Sequence, residues 1–406
     1  MKSATSATSA TGDSGGAMQS AQVNASPSIA QHQAAMADYQ REGVALGKEI
    51  ANRGPARFDD AGRLAPDILE AFKEQGFYIF EGIVSDGEVD ALRAEIDTLL
   101  DRAPVGRDET VDRAGRPAFG TDFARLPYTF IKPLSDPWGG TELLGGRHPT
   151  QMSQPQPDVT APDQVVYLMH GMCQSMKSGL RLYGHPQLLA IAEAINGADF
   201  TPFNDAIFVK QPGLGGSVAW HQDGVTHWES PDWNPGIHGF NFQVQLYPST
   251  PGNCLWVIPG SHKRGRADIK AMVADNGGSE RLPGAVPLTC NAGDATIVNR
   301  QMLHCSFANT SPDLRVSMTF GFHRYTSVLG ARAGLGQEKQ RVIYDAERIF
   351  RRSSVIQVAI DARRQAYPAE TPYRYQPFVD RVDDFRFTPE TFESVITDYY
   401  LSDLSI

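Results

Sequence analysis

The sequence has few cysteines, no long apolar run and no dense patch of positive charge. Its four cysteines, Cys173, Cys254, Cys290 and Cys305, are scattered without a Cys-x-x-Cys pair. That excludes a disulfide framework or zinc knuckle as the organising element and leaves four reduced thiols as the expectation. No stretch reaches the roughly 18 consecutive apolar residues a membrane span requires. The residues after Met1, KSATSATSATGDSGGAMQSAQVNAS, lack the apolar core and cleavage pattern of a secretory signal. No membrane partner is expected, and the expected compartment is cytoplasmic. Lys and Arg number 37 against 47 Asp and Glu, for a formal charge of -10, and no basic stretch could track a phosphate backbone, so nucleic acid is not expected as a partner.

What is present is enough for a core. An apolar fraction of 41% with 21% charged residues is a globular composition, and 406 residues can form one decorated domain. Residues 1–37, with their threefold SAT repeat, have almost nothing large and apolar to bury and are expected to be disordered; Met18 or Met36 could then be the true start. A short amphipathic helix is expected from Asp38 to Ile50. Pro66-Asp67 opens a helix that Gly76 ends, before the β-prone run Phe77 to Phe80. Ser85 and Glu88 have capping-box spacing, and Val89, Leu92, Ile96 and Leu99 form one apolar stripe.

Residues 101 to about 165 are rich in Pro, Gly, Asp and Arg with isolated aromatics and read as long loops with short elements. His185-Pro186 begins a helix closed by Gly197. From Phe203 to Tyr325 the pattern becomes short β-prone runs: Ala206 to Lys210, Ser217 to His221, Phe240 to Leu246, Leu255 to Ile258, Ala295 to Asn299 and Leu314 to His323. Turn residues separate them, the even spacing of a sandwich or jelly roll. The fold class expected is mainly β with flanking helices. The domain runs over 38–325, and 326–406 is a C-terminal helical extension packed on the core, with a charged helix over about Gln337 to Arg364.

In an extended strand residues i and i+2 share a face, so His221 and Asp223 can address one metal ion. About one His-x-acid match arises by chance with ten histidines, and His227-Trp228-Glu229 is a second. The pattern gains weight downstream. His304 supplies a second imidazole, and two His with one carboxylate on one face leave the open positions that catalytic iron needs. Arg315 follows after the polar turn Ala308 to Asp313. If that turn joins two antiparallel strands, His304 and Arg315 are ladder neighbours. The planar fork of Arg315 matches a carboxylate, the far end of 2-oxoglutarate supplies one, and Ser317 on the same face can add a hydroxyl donor. The competing readings are a satisfied core histidine for His304 and a surface salt bridge from Arg315 to Asp313 or Asp294. Cys305 points away from His304's face, and His262 sits in a turn, more structural than ligating.

These residues resemble the phytanoyl-CoA dioxygenase superfamily of Fe(II)/2-oxoglutarate-dependent oxygenases. Four blocks over about residues 66–325 carry the resemblance: Phe72 to Phe77 with the following helix, Ala219-Trp220-His221-Gln222-Asp223, Val257 to Lys263, and Gly293-Asp294 through His304 to Arg315-x-Ser317. The resemblance implies a double-stranded β-helix (jelly roll, cupin-like) core. It implies Fe(II) on His221, Asp223 and His304, with 2-oxoglutarate and O2 as co-substrates and ascorbate as an aid in vitro. It also implies that the strand carrying Asn241, Gln243 and Gln245 lines the co-substrate cavity. Gln243 stands where several members carry Trp. The carboxylate at Asp223 leaves no room for chloride, so hydroxylation, desaturation or cyclisation is implied, and halogenation is not. The substrate would be a small, partly apolar molecule walled by residues 101–170 and Val225 to Gly239, with Trp228, Trp233, His227 and His238 as candidates. The protein would act as a monomer or homodimer. The rivals are a non-catalytic jelly-roll metal- or ligand-binding protein and a zinc hydrolase on the same ligands.

Overall fold

Helix and strand boundaries follow local chemistry closely around the first core unit. Pro66 occupies the first turn of a helix over Pro66–Gln75, where its missing N–H costs nothing, and Ile68 and Phe72 turn inward. Gly76 stops the helix with a φ of 82°, and a Cβ there would sit 2.5 Å from the His262 ring. Glycine is thus required twice over. In this computed structural model, which describes residues 26–223, 239–331 and 343–399, the chain then runs through strands numbered in order. They are β1 (Arg53–Gly54), β2 (Phe77–Phe80), β3 (Tyr128–Ile131), β4 (Val165–His170), β5 (Thr201–Lys210) and β6 (Val218–His221). After these come β7 (Gly239–Gln245), β8 (Leu255–Val257), β9 (Val286–Leu288), β10 (Ala295–Asn299), β11 (His304–Ser306) and β12 (Arg315–His323).

Among the described residues these strands form one mixed sheet, parallel between β1 and β2 and otherwise antiparallel, and one antiparallel sheet. The larger has the order β1-β2-β10-β7-β12-β5-β4-β3 and the smaller β6-β11-β8-β9. Alternation decides what each face does. Val316, Met318, Phe320 and Phe322 of β12, with Phe240, Phe242 and Val244 of β7, pack against the flanking helices in the main core. Arg315, Ser317 and Thr319, with Asn241, Gln243 and Gln245, occupy the other face, toward the smaller sheet. Apolar residues of β2 and β10 meet those of β8 and β9 in a second cluster, which clamps the two sheets together at one end.

Several expectations need correction. The segment 1–37 is not wholly without structure, because a helix runs over Ile29–Ile50; residues 1–25 lie outside the described residues. Ser28 and Gln31 form a capping box at its start, Met36 is buried, and Tyr39 stacks on Trp256 with ring centroids 4.7 Å apart. The C-terminal helix spans Ala346–Ala366 rather than starting near Gln337, because Asp345 caps it by accepting from Arg348 N; residues 332–342 lie outside the description. It is buried nearly all round from Ser353 to Arg363, as expected of a helix packed into a core.

No capping box forms at Ser85. Its hydroxyl donates to Glu88 Oε2 at 3.0 Å, and Glu88 Oε1 is taken by Arg363 at 2.6 Å. β9 escaped the sequence reading because Pro287 sits inside it, which a strand at a sheet edge tolerates. Helices at both ends of the chain make the helical share larger than a mainly β reading anticipates. Finally, the turn over 308–313 does not close a hairpin. It carries the chain from the smaller sheet to the larger, so His304 and Arg315 are not ladder neighbours. No described helix is long and apolar enough to cross a membrane.

Candidate metal centre

His221 ends β6, His304 begins β11, and the two are directly opposed in that antiparallel pair. Opposed side chains share a face with Cβ atoms about 5 Å apart, so the ladder itself gathers the imidazoles, whose ring centroids are 4.0 Å apart. Asp223, just past the end of β6, puts Oδ1 3.5 Å from His221 Nε2 and Oδ2 3.9 Å from His304 Nε2. One ligand atom from each residue lies within 4.8 Å of the others. His221 and Asp223 are buried and His304 nearly so.

Each ring is oriented by its other nitrogen. His221 Nδ1 lies 2.8 Å from Ala219 O, and His304 Nδ1 2.9 Å from Met302 O. A carbonyl can only accept, so Nδ1 carries the proton and each Nε2 presents a lone pair. Burial lowers the pKa of both rings. Burial alone would raise that of Asp223, but Arg147, His304, His221 and Arg300 together outweigh it and hold the carboxyl well below its usual range. Near neutral pH the cluster is two neutral imidazoles and one carboxylate, a donor set suited to a divalent transition metal with coordination positions left open.

Two supports of Asp223 were not picked out from the sequence. Arg147 Nη1 donates to Oδ1 at 2.8 Å and Asn241 Nδ2 to Oδ2 at 2.9 Å. Asn241 had left a trace in the polar alternation along β7, whereas Arg147 comes from an irregular stretch that gives no signal. Beside them the fully buried His148 ring lies 4.3 Å from that of His221, and burial keeps it neutral. Arg300 Nη1 is 2.6 Å from His323 Nε2.

Arg315 enters from the opposite sheet. It is buried, and its Nη2 donates to Gln243 Oε1 at 2.9 Å. Gln243 and Asn241 are two residues apart on one face of β7, a step of about 7 Å, so the partner of Arg315 and the partner of Asp223 are neighbours on one strand face. Among the described residues it has no carboxylate partner. Asp294 serves Gly82 N and Asn291 N instead. Around it Arg315 Nε, Ser317 Oγ, Thr319 Oγ1, Thr296 Oγ1 and Asn241 Oδ1 are buried without a hydrogen-bond partner. Such a concentration of orphaned polar atoms is rare in a finished interior, and it fits a space shaped for a polar, carboxylate-bearing ligand next to the metal donors.

Gln243 is half-buried and accepts from Arg315. Cys305 points away from the cluster into an apolar core, and His262 is buried with Nε2 2.9 Å from Lys73 O, a structural role. His227, Trp228, Trp233 and His238 lie outside the described residues.

A sequence model of the family described as phytanoyl-CoA dioxygenase matches residues 72–317, more than half of the chain. "Phytanoyl-CoA dioxygenase 1" of Oryza sativa subsp. japonica is 34% identical over 116 residues, covering 27% of this chain and 40% of that protein. "Phytanoyl-CoA dioxygenase" of Arabidopsis thaliana is 25% identical over 271 residues, covering 63% of this chain and 87% of that one. Among solved structures, EctD from S. alaskensis with 2-oxoglutarate and 5-hydroxyectoine is 18% identical, with a TM-score of 0.47, over 72% of this chain and 90% of that one.

Proposed function

The chain belongs to the phytanoyl-CoA dioxygenase family, and from that premise we propose that it is a non-haem Fe(II)/2-oxoglutarate-dependent dioxygenase. It hydroxylates a small organic molecule, taking up O2 and releasing succinate and CO2. One observation carries the reading: a buried two-histidine, one-carboxylate cluster faces a buried Arg315 that among the described residues has no acid partner and is ringed by orphaned polar atoms. The strand order β10-β7-β12-β5 facing β6-β11-β8-β9 supports a double-stranded β-helix core. In this reading 38–325 is the catalytic domain and 326–406 its helical extension.

His221, Asp223 and His304 would hold the iron, which when bound supplies the activation of O2 coupled to oxidative decarboxylation of 2-oxoglutarate. The chain's own part is positional. Ala219 and Met302 carbonyls fix the two rings with Nε2 outward. Arg147 and Asn241 each donate to one oxygen of Asp223, leaving each oxygen a lone pair for the metal. Arg315 and Ser317 bind the far carboxylate of 2-oxoglutarate, and Gln243 aims the guanidinium. Burial keeps water from these contacts and strengthens each of them. Localisation in the cytoplasm and action on a small molecule, without nucleic acid or membrane, complete the proposal.

Purified protein supplied with Fe(II), ascorbate, O2 and 2-oxoglutarate is expected to form succinate, and Asp223→Ala to lose that activity by at least about a hundredfold, since removing a first ligand removes the site. No succinate from the wild type, or equal amounts from Asp223→Ala, would leave a non-catalytic binding protein as the better reading.

A further inference from the structure

Three positions on one face of β7 follow each other in steps of about 7 Å. Gln243 meets Arg315, Asn241 meets Asp223, and Gly239 is paired in register with His323 of β12, which shares the face of Ser317 and Thr319. The residue that braces the metal ligand thus stands between the one that meets Arg315 and the one opposite His323. On the His323 side the chain places a second buried guanidinium. Arg300 is 1% exposed, its Nη1 lies 2.6 Å from Nε2 of the fully buried His323, and its backbone N–H donates to Gly239 O at 3.1 Å.

Arg300 and Arg147 converge on the same carboxylate. Arg147 donates directly to Asp223 Oδ1, and the charge of Arg300 adds to the forces that hold that carboxyl low. Burial lowers the Arg300 pKa to about 10, with Asp223 opposing the shift and Arg147 adding to it, so both guanidiniums are charged at neutral pH and close enough to repel. A divalent ion on Asp223 would add two more positive charges to the same place and take the lone pairs that the hydrogen bonds leave. Arg147 Nε and, on the next residue, both ring nitrogens of the fully buried His148 have no hydrogen-bond partner. Clustered buried cations with unmet donors gain most from an incoming group that is both an acceptor and an anion.

We propose that the molecule oxidised at this centre is an organic acid, and that Arg300, together with Arg147, holds its carboxylate on the His323 side of the metal donors, away from Arg315. The inference rests on the dioxygenase reading above and names the substrate class within it. The planar fork of Arg300 matches a carboxylate, and holding the acid end there fixes how the rest of the molecule meets the metal. A neutral amide of the same shape gains no charge-assisted bond at this position and is bound more weakly.

Acetate and acetamide test this directly, because they share a shape, differ in charge and are small enough to enter any pocket that admits an organic substrate. Protein is loaded with Mn(II) and saturated with 2-oxoglutarate. Relaxation of each probe's methyl protons by the bound Mn(II) is then measured by NMR against a Zn(II)-loaded blank, for wild type, Arg300→Met and Arg300→Lys. Wild type is expected to relax acetate at least about tenfold more than acetamide, the size of one charged hydrogen bond. Arg300→Met should lose that difference while binding Mn(II) and 2-oxoglutarate as wild type does, and Arg300→Lys, which retains the charge, should keep most of it. Equal relaxation of the two probes by wild type would overturn the proposal. An acetate effect unchanged in Arg300→Met would also overturn it, since acetate bound at the metal alone gives that result. Loss of Mn(II) or 2-oxoglutarate binding together with the acetate effect would make Arg300 a strut of the fold and end the proposal too. If Arg300→Met fails to fold, Arg300→Lys decides in its place: a kept preference for acetate supports the proposal and a lost one overturns it. Failure of wild type to bind 2-oxoglutarate would overturn the dioxygenase reading itself, whereas intact co-substrate binding without a preference for acetate removes this inference alone.

Discussion

Asp223 is gripped from two sides, by Arg147 on Oδ1 and Asn241 on Oδ2, and this fixes the carboxylate plane that the two imidazoles face. Outer partners of this kind set the orientation of a metal ligand and typically tune affinity by 10- to 100-fold. Asn241→Leu is therefore expected to weaken Mn(II) binding by about that range in a calorimetric titration, with the fold intact by circular dichroism. Affinity equal to wild type would mean that Arg147 alone suffices. The sequence held the candidate ligands but not these supports. His-x-Asp is a local pattern that a reader can see, whereas Arg147 stands 76 residues before Asp223 in a stretch with no periodicity.

The elements explain how residues so distant converge. β6 and β11 are four- and three-residue strands whose pairing alone brings His221 and His304 together. The expectation that His304 and Arg315 would be adjacent assumed that a short polar turn makes a hairpin. Here that turn bridges the two sheets, so the guanidinium arrives from the facing side and not from the next strand. The Ile29–Ile50 helix shows the same dependence on packing. Gly43→Ala on an exposed helix would add about 1 kcal/mol of stability. At this position a Cβ would lie 2.6 Å from the Trp256 ring and 3.0 Å from Ala285 O. Overpacking of that kind costs about 1–3 kcal/mol and outweighs the propensity gain, so Gly43→Ala is expected to lower the urea midpoint; a raised midpoint would show that the helix can shift freely.

At the scale of the whole molecule, the C-terminal extension is locked to the core through Arg363, which joins Glu370 and Glu88, and its apolar residues enter the main core. Buried histidines make that core sensitive to acid. Burial, aided by Arg125, pushes His170 down to about 4, and burial with Arg363, against Glu88 and Glu370, takes His185 to about 4. Unfolded, both titrate near 6.5. Between those values the unfolded chain binds protons that the fold refuses. Stability is thus complete above pH 6.5 and declines as pH falls toward 4, by up to about 1.4 kcal/mol per pH unit for each histidine. Denaturant midpoints at pH 7.5 and 5.0 should differ in that direction. A flat profile would mean that both rings take up protons as readily in the fold as in the unfolded chain.

The amino-acid sequence by itself determined which residues are candidate metal ligands, the helix stops and most of the strands, because each depends on chemistry within a few residues: i and i+2 sharing a face, glycine accepting a positive φ, alternation of apolar and polar. It also carried the family resemblance on blocks between Phe72 and Ser317. Only the tertiary structure decided which sheet each strand joins, that Arg147 and Asn241 brace Asp223, and that Arg300 joins Arg147 beside it. Those are pairings between segments tens of residues apart, and their energies depend on burial and sheet register, which no local pattern encodes.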